Sequence, residues 1–142
     1  MKQKLVLAGM MLFMVAGFSA CKKQNKATEP LRTKMLGKWQ VNKIDVTTYN
    51  TSGTPTTVTT SYTASDYMDF KDTESDDVEL SLGTNNRMLG FYKVRINDSF
   101  FLDFSQKDLE CTTTLIGDKE FRFTGTVVGS SPKVTETYYL SR

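Results

Sequence analysis

The chain has 142 residues, the size of one domain, with 18 basic and 16 acidic side chains and no histidine. So near neutrality it lacks the basic face of a nucleic-acid binder, and without histidine it lacks the commonest general base and metal ligand. Sixteen aromatic residues supply ample material for a core.

The first 20 residues stand apart from the rest. Lys2 and Lys4 open the chain, and Leu5 to Ala20 then runs for 16 residues without a charge. Basic start, apolar run and small residues before a cut predict a secretory signal peptide over residues 1–20, and the run is short of the roughly 20 residues a spanning helix needs. Phe18-Ser19-Ala20-Cys21 resembles the lipobox of bacterial lipoproteins. The resemblance implies a diacylglycerol on the Cys21 thiol, cleavage before that residue and acylation of the new amino end. Several acyl chains at about 0.8 kcal/mol per buried CH₂ would hold the protein at a membrane it does not span. Residues 21–33 are expected as a lipidated tether, since Lys22 to Pro30 is polar and aperiodic. No aspartate follows Cys21 directly, which in Gram-negative lipoproteins points to the outer membrane and its periplasmic face. Beyond the signal peptide 16 basic residues face 16 acidic ones, a balance of zero. With Cys21 lipidated, Cys111 is the one remaining cysteine and no internal disulfide can form.

From residue 36 onward, runs of five to nine residues rich in Val, Ile, Thr, Phe and Tyr alternate with Gly, Asn, Asp and Pro. Leu31 to Leu36 reads as one short helical turn. Trp39 and Val41 share a face, and Ile44 and Val46 fall out of step with them, which predicts a bulge near Asn42-Lys43. Tyr67 to Phe70 and Val78 to Leu82 flank an acidic loop. Met88, Tyr92, Val94 and Ile96 alternate with Lys93 and Arg95. Phe100, Leu102 and Phe104 follow after Asn97-Asp98, a dipeptide suited to a two-residue hairpin turn. Leu109, Cys111, Thr113 and Leu115 form the next inward face. Phe121, Phe123, Gly125 and Val127 form another, and Val134, Tyr138 and Leu140 the last. The prediction is all-β: an up-and-down antiparallel meander of eight or nine strands, closed into a small barrel that removes its edges.

Leu36-Gly37-Lys38-Trp39 and Tyr138-Tyr139-Leu140-Ser141-Arg142 carry a family resemblance. A Gly-x-Trp start and a Tyr-x-Leu ending before a basic residue, behind a lipobox, resemble the lipocalin-like lipoproteins of Bacteroidetes. The resemblance covers about residues 34–142, taken as the domain. It implies that Gly37 and Trp39 close the barrel floor and that Arg142 packs over the tryptophan.

Several motifs favour structural roles. Asp72, Glu74 and Asp76 have the opening spacing of a calcium loop, but Asp77 stands where the loop needs Gly and Gly83 where it needs Glu. A solvated hairpin loop fits better, and no metal site or cofactor is expected. Nine threonines between Val46 and Ser65, with Ser52-Gly53-Thr54-Pro55 as a turn, fit a β-hairpin with a polar face. Cys111 alternates with core residues and has no basic neighbour in sequence, as an inert buried thiol would. A serine nucleophile would have only lysine as its base. No catalytic residue is therefore assigned, and a non-enzymatic protein is expected. Two readings stay open. One is a carrier of a small apolar ligand, lined by Tyr62, Met68, Phe70, Tyr92, Phe100, Phe121 and Tyr138. The other is an interaction module, an inhibitor or accessory subunit of an envelope complex, that uses the Thr-rich hairpin and the acidic loop.

Overall fold

Alternation of apolar and polar side chains becomes nine strands in the computed structural model, which describes residues 30–142. Residues 1–20, Cys21 and the tether up to residue 29 lie outside the described residues. A short helix, α1 (Leu31–Met35), leads into β1 (Gly37–Tyr49), β2 (Pro55–Ser61), β3 (Tyr67–Phe70), β4 (Asp77–Leu82) and β5 (Asn86–Val94). Then come β6 (Ser99–Phe104), β7 (Lys107–Ile116), β8 (Glu120–Val127) and β9 (Val134–Ser141). All neighbours are antiparallel, and β9 returns to pair with β1. Eight strands, β1 and β3–β9, close the barrel, and β2 is an extra strand outside it.

The long β1 makes this possible. Along one edge it pairs with β9 from Gln40 to Thr48. Along the other it pairs first with β3 over Gly37–Gln40 and then with β2 over Lys43–Tyr49. The change falls at a bulge between Val41 and Lys43, where the two apolar phases of β1 meet. Trp39, Val41 and Ile44 all reach the core because of it. At Gly90 a side chain is impossible: a Cβ would lie 2.0 Å from the Asp103 carbonyl oxygen on β6, a close backbone approach of the kind that only glycine permits.

Two expected inward residues face out. β7 carries a bulge between Thr113 and Leu115, which sets Ile116 opposite Phe121 and leaves Leu115 42% exposed. Ile96 lies past the end of β5, in the turn at Asn97-Asp98, and is 81% exposed. Both turn residues have a φ of 56°, the left-handed conformation that a tight hairpin asks of them. The short helical turn expected at Leu31 to Leu36 is α1. Leu31 and Met35 lie four residues apart on one helical face, and both are buried against the barrel.

The strand directions give the barrel two unlike ends. α1, the 71–76 loop, the turns at 95–98 and 117–119 and Arg142 gather at the closed end. The turns at 50–54, 83–85, 105–106 and 128–133 and the segment 62–66 rim the mouth. At the closed end Arg32 of α1 reaches into the acidic loop, bonding Asp72 at 2.9 Å and Asp76 at 2.6 Å. Two of the carboxylates with calcium-loop spacing thus pin the helix. Among the described residues no group of three His, Cys, Asp or Glu side chains is placed to hold a metal ion.

On the outer wall, Glu79 of β4 is only 4% exposed and accepts three hydrogen bonds. They come from Tyr67 Oη (2.6 Å), Arg87 Nε (2.7 Å) and Lys71 Nζ (3.0 Å). Arg87 first, then Tyr67 and Lys71, hold its carboxyl down to about 2. A depressed carboxyl stabilises the fold above its unfolded pKa, and that share is lost as pH falls through the folded one. Stability on the order of 2 kcal/mol should therefore disappear between about pH 4.5 and pH 2. Denaturant unfolding across that range should show it, and Glu79→Gln should remove that part of the slope.

Candidate functional site

The closed end is built around Trp39. Its indole Nε1 donates to the Met35 carbonyl at 2.8 Å, tying β1 to α1, and the ring is fully buried. The Arg142 guanidinium lies 3.8 Å from the centre of a Trp39 ring. Its nitrogens donate to the carbonyls of Leu36 (2.8 Å), Lys34 (3.3 Å) and Asp118 (3.1 Å). Two of these are carbonyls at the C-terminal end of α1, which have no partner inside so short a helix. Gly37 takes a φ of 100°, and a Cβ there would come 3.4 Å from Arg142 Nη1. The glycine gives β1 its entry angle and leaves room for the guanidinium. Arg142→Ala should cost about 1–2 kcal/mol through the lost stacking and carbonyl contacts. Arg142→Lys should recover little of it, since an ammonium cannot fork onto three carbonyls. Urea midpoints of the two variants check this.

The residues expected to line a ligand cavity converge on the barrel axis, where they touch each other. Met68, Phe70, Tyr92, Phe100, Phe121 and Tyr138 are at most 2% exposed. Phe121 has Trp39 at 5.5 Å, Phe70 at 6.0 Å, Phe100 at 6.1 Å and Phe123 at 5.2 Å between ring centres. Phe123 in turn stacks on Tyr138 at 4.7 Å. Tyr62 is half-buried and packs on this cluster from the segment after β2. An aromatic column thus runs from Trp39 at the floor to Tyr138 below the mouth. A surface cleft of about 390 Å³ lies elsewhere, on the outer wall between Lys71, Arg87, Leu89 and Phe91, and none of the seven expected lining residues borders it.

Above the column sits a polar constellation that the sequence reading did not single out. Glu136 of β9 points inward between Val134 and Tyr138 and is 8% exposed. Lys107, first residue of β7, donates to both of its carboxylate oxygens at 2.7 and 2.6 Å. The Tyr138 hydroxyl donates to Oε2 at 2.5 Å. β8 lies between β7 and β9, and Gly125 is its residue in register with both Cys111 and Glu136. A Cβ at Gly125 would meet Leu109 Cβ at 3.1 Å and Cys111 Sγ at 3.2 Å. Absence of a side chain there lets β7 and β9 reach each other across β8. Burial first, and then the charge of Glu136, push the Tyr138 hydroxyl far above its ordinary range. The same two causes raise the Cys111 thiol, so it stays protonated and unreactive. Tyr62 is raised by burial and by Asp66 and Glu136.

Asp66 completes the rim. Its carboxylate accepts from Thr63 N at 2.6 Å, Thr63 Oγ1 at 2.8 Å and Gly83 N at 2.5 Å, which fastens the 62–66 segment to the β4–β5 turn. Those backbone donors hold its carboxyl below the usual range. Lys107 and Tyr138 are both bonded to Glu136, which makes these three a strap between β7 and β9. Ser130 and Lys133 have the Ser-x-x-Lys spacing in which a lysine can serve a serine as base. In the β8–β9 turn, however, the Ser130 hydroxyl donates to the Val127 carbonyl at 2.9 Å and accepts from Val134 N at 3.0 Å. Lys133 Nζ lies over the Tyr49 ring at 5.6 Å.

No family model and no curated protein matches this chain. Among solved structures, a redesigned β-barrel is similar to it at 19% identity and a TM-score of 0.42, over 79% of this chain and 94% of that one. The barrel is defined by its own strand pairing, closed where β9 meets β1.

Proposed function

We propose that this chain is a lipid-anchored lipoprotein of the cell envelope whose lipocalin-like barrel is a non-enzymatic interaction module, an inhibitor or accessory subunit of an envelope complex. The observation that carries the reading is the aromatic column: a barrel whose axis is filled by its own rings offers its turns and outer wall, not its interior, to a partner. The lipobox-like Phe18-Ser19-Ala20-Cys21 supports the anchor. The way the chain enters the barrel supports an orientation. Pro30 leads into α1 at the closed end, and residues 22–29 can span at most about 30 Å. An anchor on Cys21 would hold the closed end near the membrane and present the rim of the mouth outward, into the periplasm if the anchor is in the outer membrane.

The carrier of a small apolar ligand is the competing reading. Native mass spectrometry of the full chain, extracted in mild detergent from host envelopes, separates the two. The interaction reading expects the mass of the chain from Cys21 onward plus its acyl groups, with no small molecule retained. A further small mass that leaves on denaturation would establish the carrier. A chain without acyl groups on Cys21 would overturn the anchor.

A further inference from the structure

β2 has one edge on β1 and, among the described residues, nothing on the other. All seven of its residues are exposed, including Val58 at 62%. The hydrogen-bond parity of the β1–β2 ladder is set at its two ends, where Tyr62 N donates to the Asn42 carbonyl and Asn50 N to the Thr54 carbonyl. Even-numbered residues of β2 therefore bond β1, and Thr57, Thr59 and Ser61 aim their N–H and C=O groups away from the sheet. Natural edges are usually protected by charge, bulges or brevity. This one is uncharged: from Val46 to Ser65 the chain has no acidic or basic residue, and proline stands only at the start of the strand.

The sequence of the edge also says what fits it. Thr56-Thr57-Val58-Thr59-Thr60 reads the same in both directions. A two-fold interface needs a surface complementary to itself. Antiparallel pairing of this segment with its own copy, about an axis through Val58, sets Thr57 opposite Thr59 and Thr56 opposite Thr60. The outward-aimed groups of Thr57 meet those of Thr59, and the two Val58 side chains face each other in the non-hydrogen-bonded position. An unrelated strand could add to the edge through backbone alone, but only a second copy is matched to it at every position by both backbone parity and side chain.

We infer that β2 is a homodimerisation edge, and that two copies of this chain join through antiparallel β2–β2 pairing centred on Val58 into one sheet running through both barrels. The inference does not depend on the function proposed above. Its test uses the full-length chain in detergent, carrying Val58→Cys. Facing residues of a non-hydrogen-bonded pair lie about 4.5 Å apart at Cα, within the roughly 4.4–6.8 Å that a disulfide spans. Mild oxidation should give a covalent dimer, with peptide mapping joining the two introduced thiols. Leu89→Cys, at a comparably exposed position on the outer wall of β5, should give none. Thr57→Pro added to Val58→Cys removes an N–H that points away from β1, so the barrel keeps its far-ultraviolet spectrum and the yield should fall by about fivefold or more. Equal cross-linking at positions 58 and 89 would overturn the inference. So would a link from position 58 to any other part of the chain or to a different protein, a yield indifferent to Thr57→Pro, or no dimer.

Discussion

Glu136→Ala should lower the unfolding free energy by about 3–5 kcal/mol, the usual cost of stripping a buried charge pair of one partner. The carboxylate joins Lys107 to Tyr138 in the mouth constellation. Without it the Tyr138 hydroxyl, on a fully buried side chain, has lost its acceptor, and the Lys107 ammonium, on a side chain 25% exposed, has lost its counter-charge. Lysine can turn its head toward water and the tyrosine cannot, so most of the cost falls on Tyr138. Glu136→Gln keeps an acceptor for the hydroxyl and should cost about 1–2 kcal/mol. A double-mutant cycle with Lys107→Ala should return a coupling of about 0.5–3 kcal/mol. Equilibrium unfolding in urea gives all three values. A loss of less than about 1 kcal/mol for Glu136→Ala would mean that water reaches the carboxylate and that the strap is not a desolvated one.

Much of the barrel is legible from period-two alternation. Leu102 and Phe104, or Phe121 and Phe123, declare their face because the residue between them is charged, and Asn97-Asp98 declares its turn. The bulge of β1 is also readable, since two apolar phases on one strand cannot both point inward without an extra residue. The bulge of β7 is not: it falls in Thr112-Thr113-Thr114-Leu115, where three identical residues offer no phase to break. Glu136 and Lys107 hide for the opposite reason. Each stands in the inward phase of its strand, Glu136 between Val134 and Tyr138 and Lys107 two before Leu109, yet a lone charge in that phase reads as a fault in the pattern. Only the registers of β7 on β8 and β8 on β9 bring together residues that are 29 positions apart. Gly125, in the same phase as Phe121 and Phe123, was the available signal that something must cross β8 there. Whether the seven inward aromatic and methionine residues surround a space or fill it is a question of barrel diameter, set by strand number and stagger, and no single strand encodes either.

Phe121 touches four aromatic rings and has 1% of its surface exposed, so Phe121→Ala should cost about 3–5 kcal/mol, transfer and cavity contributions together. The void left behind would be walled by Trp39, Phe70, Phe100 and Phe123, whose one polar atom, Trp39 Nε1, is already bonded to the Met35 carbonyl, and dry apolar cavities of this kind accept benzene-sized guests. Benzene or indole should therefore raise the melting temperature of Phe121→Ala and leave that of the unaltered chain where it was, because ligand stabilises only the form that has room for it. The comparison bears directly on function. In a barrel that natively carries an apolar molecule, the unaltered chain would respond to the same probes, and truncating one wall residue would cost far less, since the ring would already border open space. A response confined to the variant means that the interior is spent on stability, which leaves the rim of the mouth and the outer wall as the surfaces through which this protein acts.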